Sequence, residues 1–108
     1  EDLGKSFGVR YKVEFFVATA SGKKALSATI AGMTAPTSST NGFKLNSDGW
    51  YYYQNNSGAN VVFEPATSSA VTSKYLMTSF TIKSNATTDA LLGGNAIYMQ
   101  ITVESITV

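Results

Sequence analysis

Seven carboxylates could do acid–base work in this chain: Glu1, Asp2, Glu14, Asp48, Glu64, Asp89 and Glu104. There is no histidine and no cysteine. Imidazole is the commonest general acid and base, and a thiolate is the strongest side-chain nucleophile. Their absence excludes a Ser-His-Asp triad, a cysteine nucleophile, a thiolate metal site and any disulfide. A zinc ion would have to be held by oxygen ligands, against its preference. A glycosidase needs two carboxyl groups converging on one bond. Here the seven are scattered, with no pair at motif spacing, so they read as solvated surface charges. Asp48 or Asp89 with loop carbonyls would be the calcium candidates, but no D-x-D-x-D-G frame surrounds either. The stretch Leu91-Leu92-Gly93-Gly94-Asn95 lacks the frame of a phosphate loop and reads as a turn. The expectation is a protein that is not an enzyme and holds no cofactor or metal.

The charge pattern narrows the partners. The 108 residues carry a net charge of +1, and only 14% are charged. No basic field is available to neutralise phosphates, so nucleic acid is not an expected partner. No apolar run approaches the roughly 18 residues of a membrane span. Polarity comes instead from 13 Ser and 13 Thr. A hydroxyl-rich, weakly charged surface favours association and suits an extracellular or cell-surface protein. No leader peptide is legible at Glu1, which fits a mature, processed or trimmed chain. Two N-glycosylation sequons, Asn55-Asn56-Ser57 and Asn85-Ala86-Thr87, fall in predicted loops, making Asn55 and Asn85 candidate glycan sites.

The elements that would position such residues are strands. Val9, Tyr11, Val13, Phe15 and Val17 alternate with Arg10, Lys12 and Glu14, the period-2 pattern of a half-buried strand. Phe16 breaks the polar face. Leu26, Ala28 and Ile30 are in step in a second run, and Phe43 and Leu45 mark a short one. Leu76, Thr78, Phe80 and Ile82 share a face within Lys74 to Lys83. Ile97, Met99, Ile101 and Val103 alternate with Tyr98, Gln100, Thr102 and Glu104 in the clearest strand of all. Beyond Ser105 the apolar residues Ile106 and Val108 fall on the other parity. Asn-Asn-Ser-Gly predicts a hairpin turn that returns through Val61 to Glu64. A short helical turn is expected at Asp89 to Leu92. At this length one domain fits, and folding hides roughly two-thirds of the chain's surface. The predicted fold is therefore a single antiparallel β-sandwich, jelly-roll or Ig-like, of seven to eight strands over residues 1–108.

Trp50, Tyr51, Tyr52 and Tyr53 are consecutive. Alternation puts Trp50 and Tyr52 on one face and Tyr51 and Tyr53 on the other. The expectation is that Trp50 and Tyr52 enter the core, while Tyr51 and Tyr53 meet a neighbouring subunit. Tyrosine is a common interface anchor. A sugar-stacking platform is the competing reading of the same run.

Three stretches, "SDGWYYYQ", "YLMTSFTI" and "GGNAIYMQITVESI", together with "VRYKVEF", resemble an exported β-sandwich family. It is the TasA and camelysin group of biofilm-matrix proteins, which depend on signal peptidase W. The resemblance covers about 40 residues in four blocks, in the family's order. It implies a secreted subunit of a pilus or matrix fibre. In such fibres a strand donated by one subunit completes the sheet of the next, and head-to-tail donation propagates a filament. The partner would be a second copy of the chain. The donor expected here is Glu1 to Gly8, with Leu3 and Phe7 as plugs, and Glu104 to Val108 is the competing choice. The metalloprotease label attached to some members does not transfer, because the chain has no histidine. The alternatives are a monomeric secreted carbohydrate-binding or adhesive module, and a virion or tail-tube subunit of the same fold.

Overall fold

The computed structural model describes residues 7–63, 75–83 and 85–108. These form seven strands and one short helix: β1 (Gly8–Thr19), β2 (Gly22–Ala25), β3 (Ala28–Ala31), β4 (Gly42–Leu45), β5 (Tyr51–Gln54), β6 (Ser79–Ile82), α1 (Ala86–Leu92) and β7 (Ala96–Ile106). Every pairing is antiparallel. The all-β reading holds. Five strands make one curled sheet and two make a second, smaller one, β3 with β6.

β1 is the spine of the larger sheet. Along one flank it pairs with β7 without a break, from Gly8↔Ile106 to Ala18↔Ala96. Along the other it pairs with β5 at Arg10 and Tyr11, and with β2 from Phe16 to Thr19. β4 then pairs with β5, from Gly42↔Gln54 to Leu45↔Tyr51. The alternation read from Val9 to Val17 is the alternation of the fold. Tyr11 and Val17 are fully buried, and Val9 and Phe15 nearly so.

Two apolar clusters hold the layers together. Val9, Tyr11, Phe43 and Tyr53 form one, with Met33, Phe63 and Leu76 against it. Phe15, Val17 and Leu26 form the other, packed by Ile30 and Ile82 from the smaller sheet and Leu91 and Leu92 from α1. Aromatic geometry organises the first: Tyr11 meets Phe43 edge-on at 5.1 Å and stacks on Tyr51 at 5.0 Å. Such contacts add to area burial because ring edges and faces carry opposite partial charge. The Tyr11 hydroxyl donates to the Leu76 carbonyl at 2.6 Å, so its burial leaves no unpaired donor.

Several local expectations change. The helix is longer than the expected turn, starting at Ala86 because the Asn85 side chain caps it, accepting from Thr88 N at 3.0 Å. The chain after "NNSG" does not return as a full strand. Only an isolated bridge, Gln54↔Asn60, forms, followed by single bonds from Val61 N to Tyr53 O and from Phe63 N to Phe7 O. The strand expected over Lys74 to Lys83 is confined to β6; Lys74 and Glu64 lie outside the described residues. Ile106 does fall on the opposite face to Val103, with no slip in the ladder.

Candidate functional site

The site begins with the direction of backbone groups on β1. Leu26 N donates to Phe15 O at 2.9 Å, so the Phe15 carbonyl points away from β7. Alternate residues of a strand direct their N–H and C=O to the same side. Tyr11, Val13, Phe15 and Val17 therefore all point away from β7. Their partners across the ladder are Val103, Ile101, Met99 and Ile97. In an antiparallel ladder both members of such a pair point outward. These four residues of β7 thus direct their backbone groups to the strand's other flank, where no described strand pairs with it.

The same four residues carry the uncovered side chains. Directly opposite the core residues of β1, they lie on the inner face of the sheet. There Ile97, Met99, Ile101 and Val103 are 44%, 43%, 41% and 54% exposed. On β6, the Phe80 ring lies 4.9 Å from that of Phe15, tilted to it by 39°, yet Phe80 is 43% exposed. The inner face is thus covered over β1 and open over β7. Among the described residues, this 11-residue edge has no strand partner, an apolar inner face and a single charge, Glu104, and so lacks the usual blocks against pairing. By contrast, Thr34 shields the outer flank of β4, its carbonyl accepting from Phe43 N at 2.7 Å.

The aromatic run is turned the other way round from expectation. Tyr53 is buried in the first cluster and Tyr51 stacks on Tyr11, so both face inward. Trp50 precedes β5, and with Tyr52 it faces outward. The register decides this: Tyr51 lies opposite Tyr11 and Tyr52 opposite Arg10. Tyr51 and Tyr53 are therefore not an outward subunit interface. Sequence parity identified the pairs, but it cannot say which parity faces the core.

Outside, Trp50 and Tyr52 join a polar network. The Arg10 guanidinium lies 3.9 Å from the Trp50 ring centroid, and the Lys12 ammonium 5.1 Å away. Arg10 Nε and Nη2 both donate to Glu104 Oε1, at 2.8 and 2.6 Å, and Nη1 donates to the Tyr52 hydroxyl at 3.0 Å. That hydroxyl donates onward to Asp48 Oδ2 at 2.6 Å, while Asp48 Oδ1 accepts from Trp50 N. Hydrogen bonds from Tyr52 and then the Trp50 amide hold the Asp48 carboxyl below its usual range. Bonds to Glu104 and Tyr52 raise Arg10. The chain of contacts ties β7, β1, β5 and the β4–β5 turn together across the solvent face.

The remaining sequence candidates separate. Leu3 lies outside the described residues; Phe7, just before β1, is 42% exposed. Asn55 accepts from Ser57 N, Ser57 Oγ and Ala59 N through one oxygen, closing a turn. Asn85 caps α1. Among the described residues no three acidic side chains gather as metal ligands, and no helix is long and apolar enough to cross a membrane. Comparison with protein-family models, curated proteins and solved structures finds no match to this chain.

The alternation of Ile97 to Val103 was plain in the sequence. Its exposure was not, because an alternating strand is the same string whether or not a second layer covers it.

Proposed function

We propose that the protein is a structural subunit of an extracellular filament, a pilus or matrix fibre, that assembles by adding a strand from one copy to the β7 edge of the next. The observation that carries this reading is the coincidence on β7 of a backbone flank that no described strand pairs with and an exposed apolar face. An added strand would satisfy both at once, supplying backbone bonds and side chains over Ile97 to Val103. A β-sandwich with matched layers would then be complete only in the polymer. The four sequence blocks similar to the TasA and camelysin group fit the same reading and the same exported location.

The donor in this reading is Glu1 to Gly8. Gly8 already belongs to β1, and the Phe7 carbonyl accepts from Phe63 N at 2.9 Å. Like the other odd-numbered residues, Phe7 directs its backbone groups away from β7, and it lies in line with β1. A chain leaving from there is two strand spacings, roughly 10 Å, from the free flank of its own β7. Donation to a neighbour runs head to tail and does not close.

The aromatic run supports the carbohydrate-module reading less well. The Trp50 ring is already engaged by Arg10 and Lys12, and only Tyr52 shares its face of the aromatic run. The test is negative-stain electron microscopy of the purified chain with light scattering over a dilution series. Regular filaments are the expected result. A monomer at every concentration, unchanged when a Glu1–Gly8 peptide is added, would overturn the proposal.

A further inference from the structure

The smaller sheet carries a polar cavity on the side turned away from the core. Ala28 and Ile30 of β3 and Ile82 of β6 pack inward, against the cluster of Phe15, Val17 and Leu26. Alternation then puts Thr29 and Thr81, which lie directly opposite each other, on the outer face. Past β6 the chain runs through Lys83 and Asn85 into α1, whose first turn brings Thr88 alongside. Ser27, in the link from β2 to β3, adds to the wall. The cavity that these residues line has a volume of about 320 Å³.

The described lining holds one cation, Lys83, and no carboxylate or aromatic ring; Ala28 is its only apolar residue. It also holds four hydroxyls, on Ser27, Thr29, Thr81 and Thr88. Among the described residues none of these hydroxyls bonds to another protein group, and Lys83 has no ion pair. Asn85 is oriented by the helix it caps. A backbone N–H can only donate, so Asn85 Oδ1 faces Thr88 N at 3.0 Å, and the Nδ2 group is left as a donor.

We infer that this cavity binds one acidic sugar residue, a pyranose ring bearing a carboxylate. Three features of the lining select that ligand. The Lys83 ammonium, with no carboxylate beside it, favours an anion, and a charge-assisted bond is stronger than a neutral one. The volume is about ten times the roughly 30 Å³ share of one water, more than a simple inorganic anion fills and at the small end of ligand pockets. Hydroxyls both donate and accept, so the four in the lining match the hydroxyls around a sugar ring. An apolar acid of the same size would leave them unpaired, at a cost. No residue of β7 lines the cavity, so the site is independent of strand addition.

The test is chemical-shift titration of the ¹⁵N-labelled full chain with sodium glucuronate, against glucose and sodium sulfate at matched ionic strength. Glucuronate should shift the amides of Thr29, Thr81, Lys83 and Thr88 saturably and leave Ile97 to Val103 unmoved. Glucose and sulfate should each bind about tenfold or more weakly than glucuronate, since each lacks one half of the match. Lys83→Met keeps the apolar stem and removes the charge. It should weaken glucuronate binding about tenfold or more with no change in melting temperature, because Lys83 is exposed and has no ion pair among the described residues. Thr81→Val keeps the shape and removes one hydroxyl, and should weaken binding about threefold. Four results would each overturn the inference. Glucuronate gives no saturable shift; sulfate binds as tightly, so that the cavity is a site for simple ions only; glucose binds as tightly, so that the charge plays no part; or either substitution leaves binding unchanged.

Discussion

Ile101→Lys isolates the role of β7. Ile101 sits at the centre of the uncovered stripe, opposite Val13, and is 41% exposed in the subunit. Fully burying a side chain such as Ile, Val or Met is worth about 1.5–3 kcal/mol. Scaled by their exposures, Ile97, Met99, Ile101 and Val103 leave roughly 3–5 kcal/mol of gross burial to be gained by a covering strand. Ile101 supplies about a quarter of that, or roughly 1 kcal/mol. Lysine forfeits this and also sets an unpaired ammonium under the incoming strand, a further cost of at least about 1–3 kcal/mol. The two effects together should raise the critical concentration for assembly by about thirtyfold or more, since 1.4 kcal/mol is tenfold. The isolated subunit should change by less than about 1 kcal/mol, because the lysine amine can reach water past a face that is already open. Light scattering over a dilution series reads the first effect and urea unfolding of the monomer the second. Filaments forming at the wild-type concentration would refute the argument that β7 is the buried partner. So would a monomer that unfolds, since the stripe would then be core rather than interface.

Three further outcomes follow from the geometry. Tyr53→Ser should destabilise the fold by roughly 3–5 kcal/mol in urea titrations, the cost of emptying a large aromatic site packed by Phe43 and Phe63; an unchanged midpoint would place Tyr53 outside the core. Burial pushes the Tyr11 hydroxyl up from 10.0 to about 12. A group raised in the folded state supports stability fully below its unfolded pKa, so Tyr11's contribution is intact below pH 10 and is lost as pH climbs toward 12. Tyr11→Phe should accordingly make the alkaline side of the stability profile shallower than wild type, as measured by denaturant midpoints across that window. Gly32→Ala should lower stability by more than about 1 kcal/mol in the same assay, because Gly32 has φ +84 and a Cβ there would collide with Thr78.

The parts of the fold legible in the sequence are those governed by local period. Val9 to Val17 and Ile97 to Val103 alternate so regularly that two strands, each with its apolar residues on a common side, follow from the sequence. Asn46-Ser47-Asp48-Gly49 and Asn55-Asn56-Ser57-Gly58 are turns because Asn, Asp and Gly stabilise them locally, and both glycines have positive φ. Phe16 looked like a flaw in a polar face. It is instead half of a stacked pair with Tyr98 at 5.3 Å, with Lys23 over its ring at 4.3 Å, a cross-strand contact that one strand's sequence cannot display.

The site was less legible. Parity divided Trp50 to Tyr53 into two pairs, but the sign of that division came from pairing: Tyr51 opposite Tyr11 turns inward, and Tyr52 opposite Arg10 turns out. A rule that puts tryptophan in the core misled here, because Arg10 and Lys12 on the solvent face could engage its ring. The residues now carrying the functional reading, Ile97 to Val103, were visible only as a strand.

By itself the sequence determined that this is a β protein without histidine or thiol chemistry, with strands where the period is two and turns where Asn, Asp and Gly cluster. Those properties belong to single residues and their near neighbours, so no partner is needed to define them. Tertiary structure alone decided which flanks of β1 and β7 are paired, and that the inner face is covered over β1 and open over β7. The physical reason is that an amide's partner and an apolar side chain's cover come from residues far away in the chain, and an alternating string is identical whether or not they arrive.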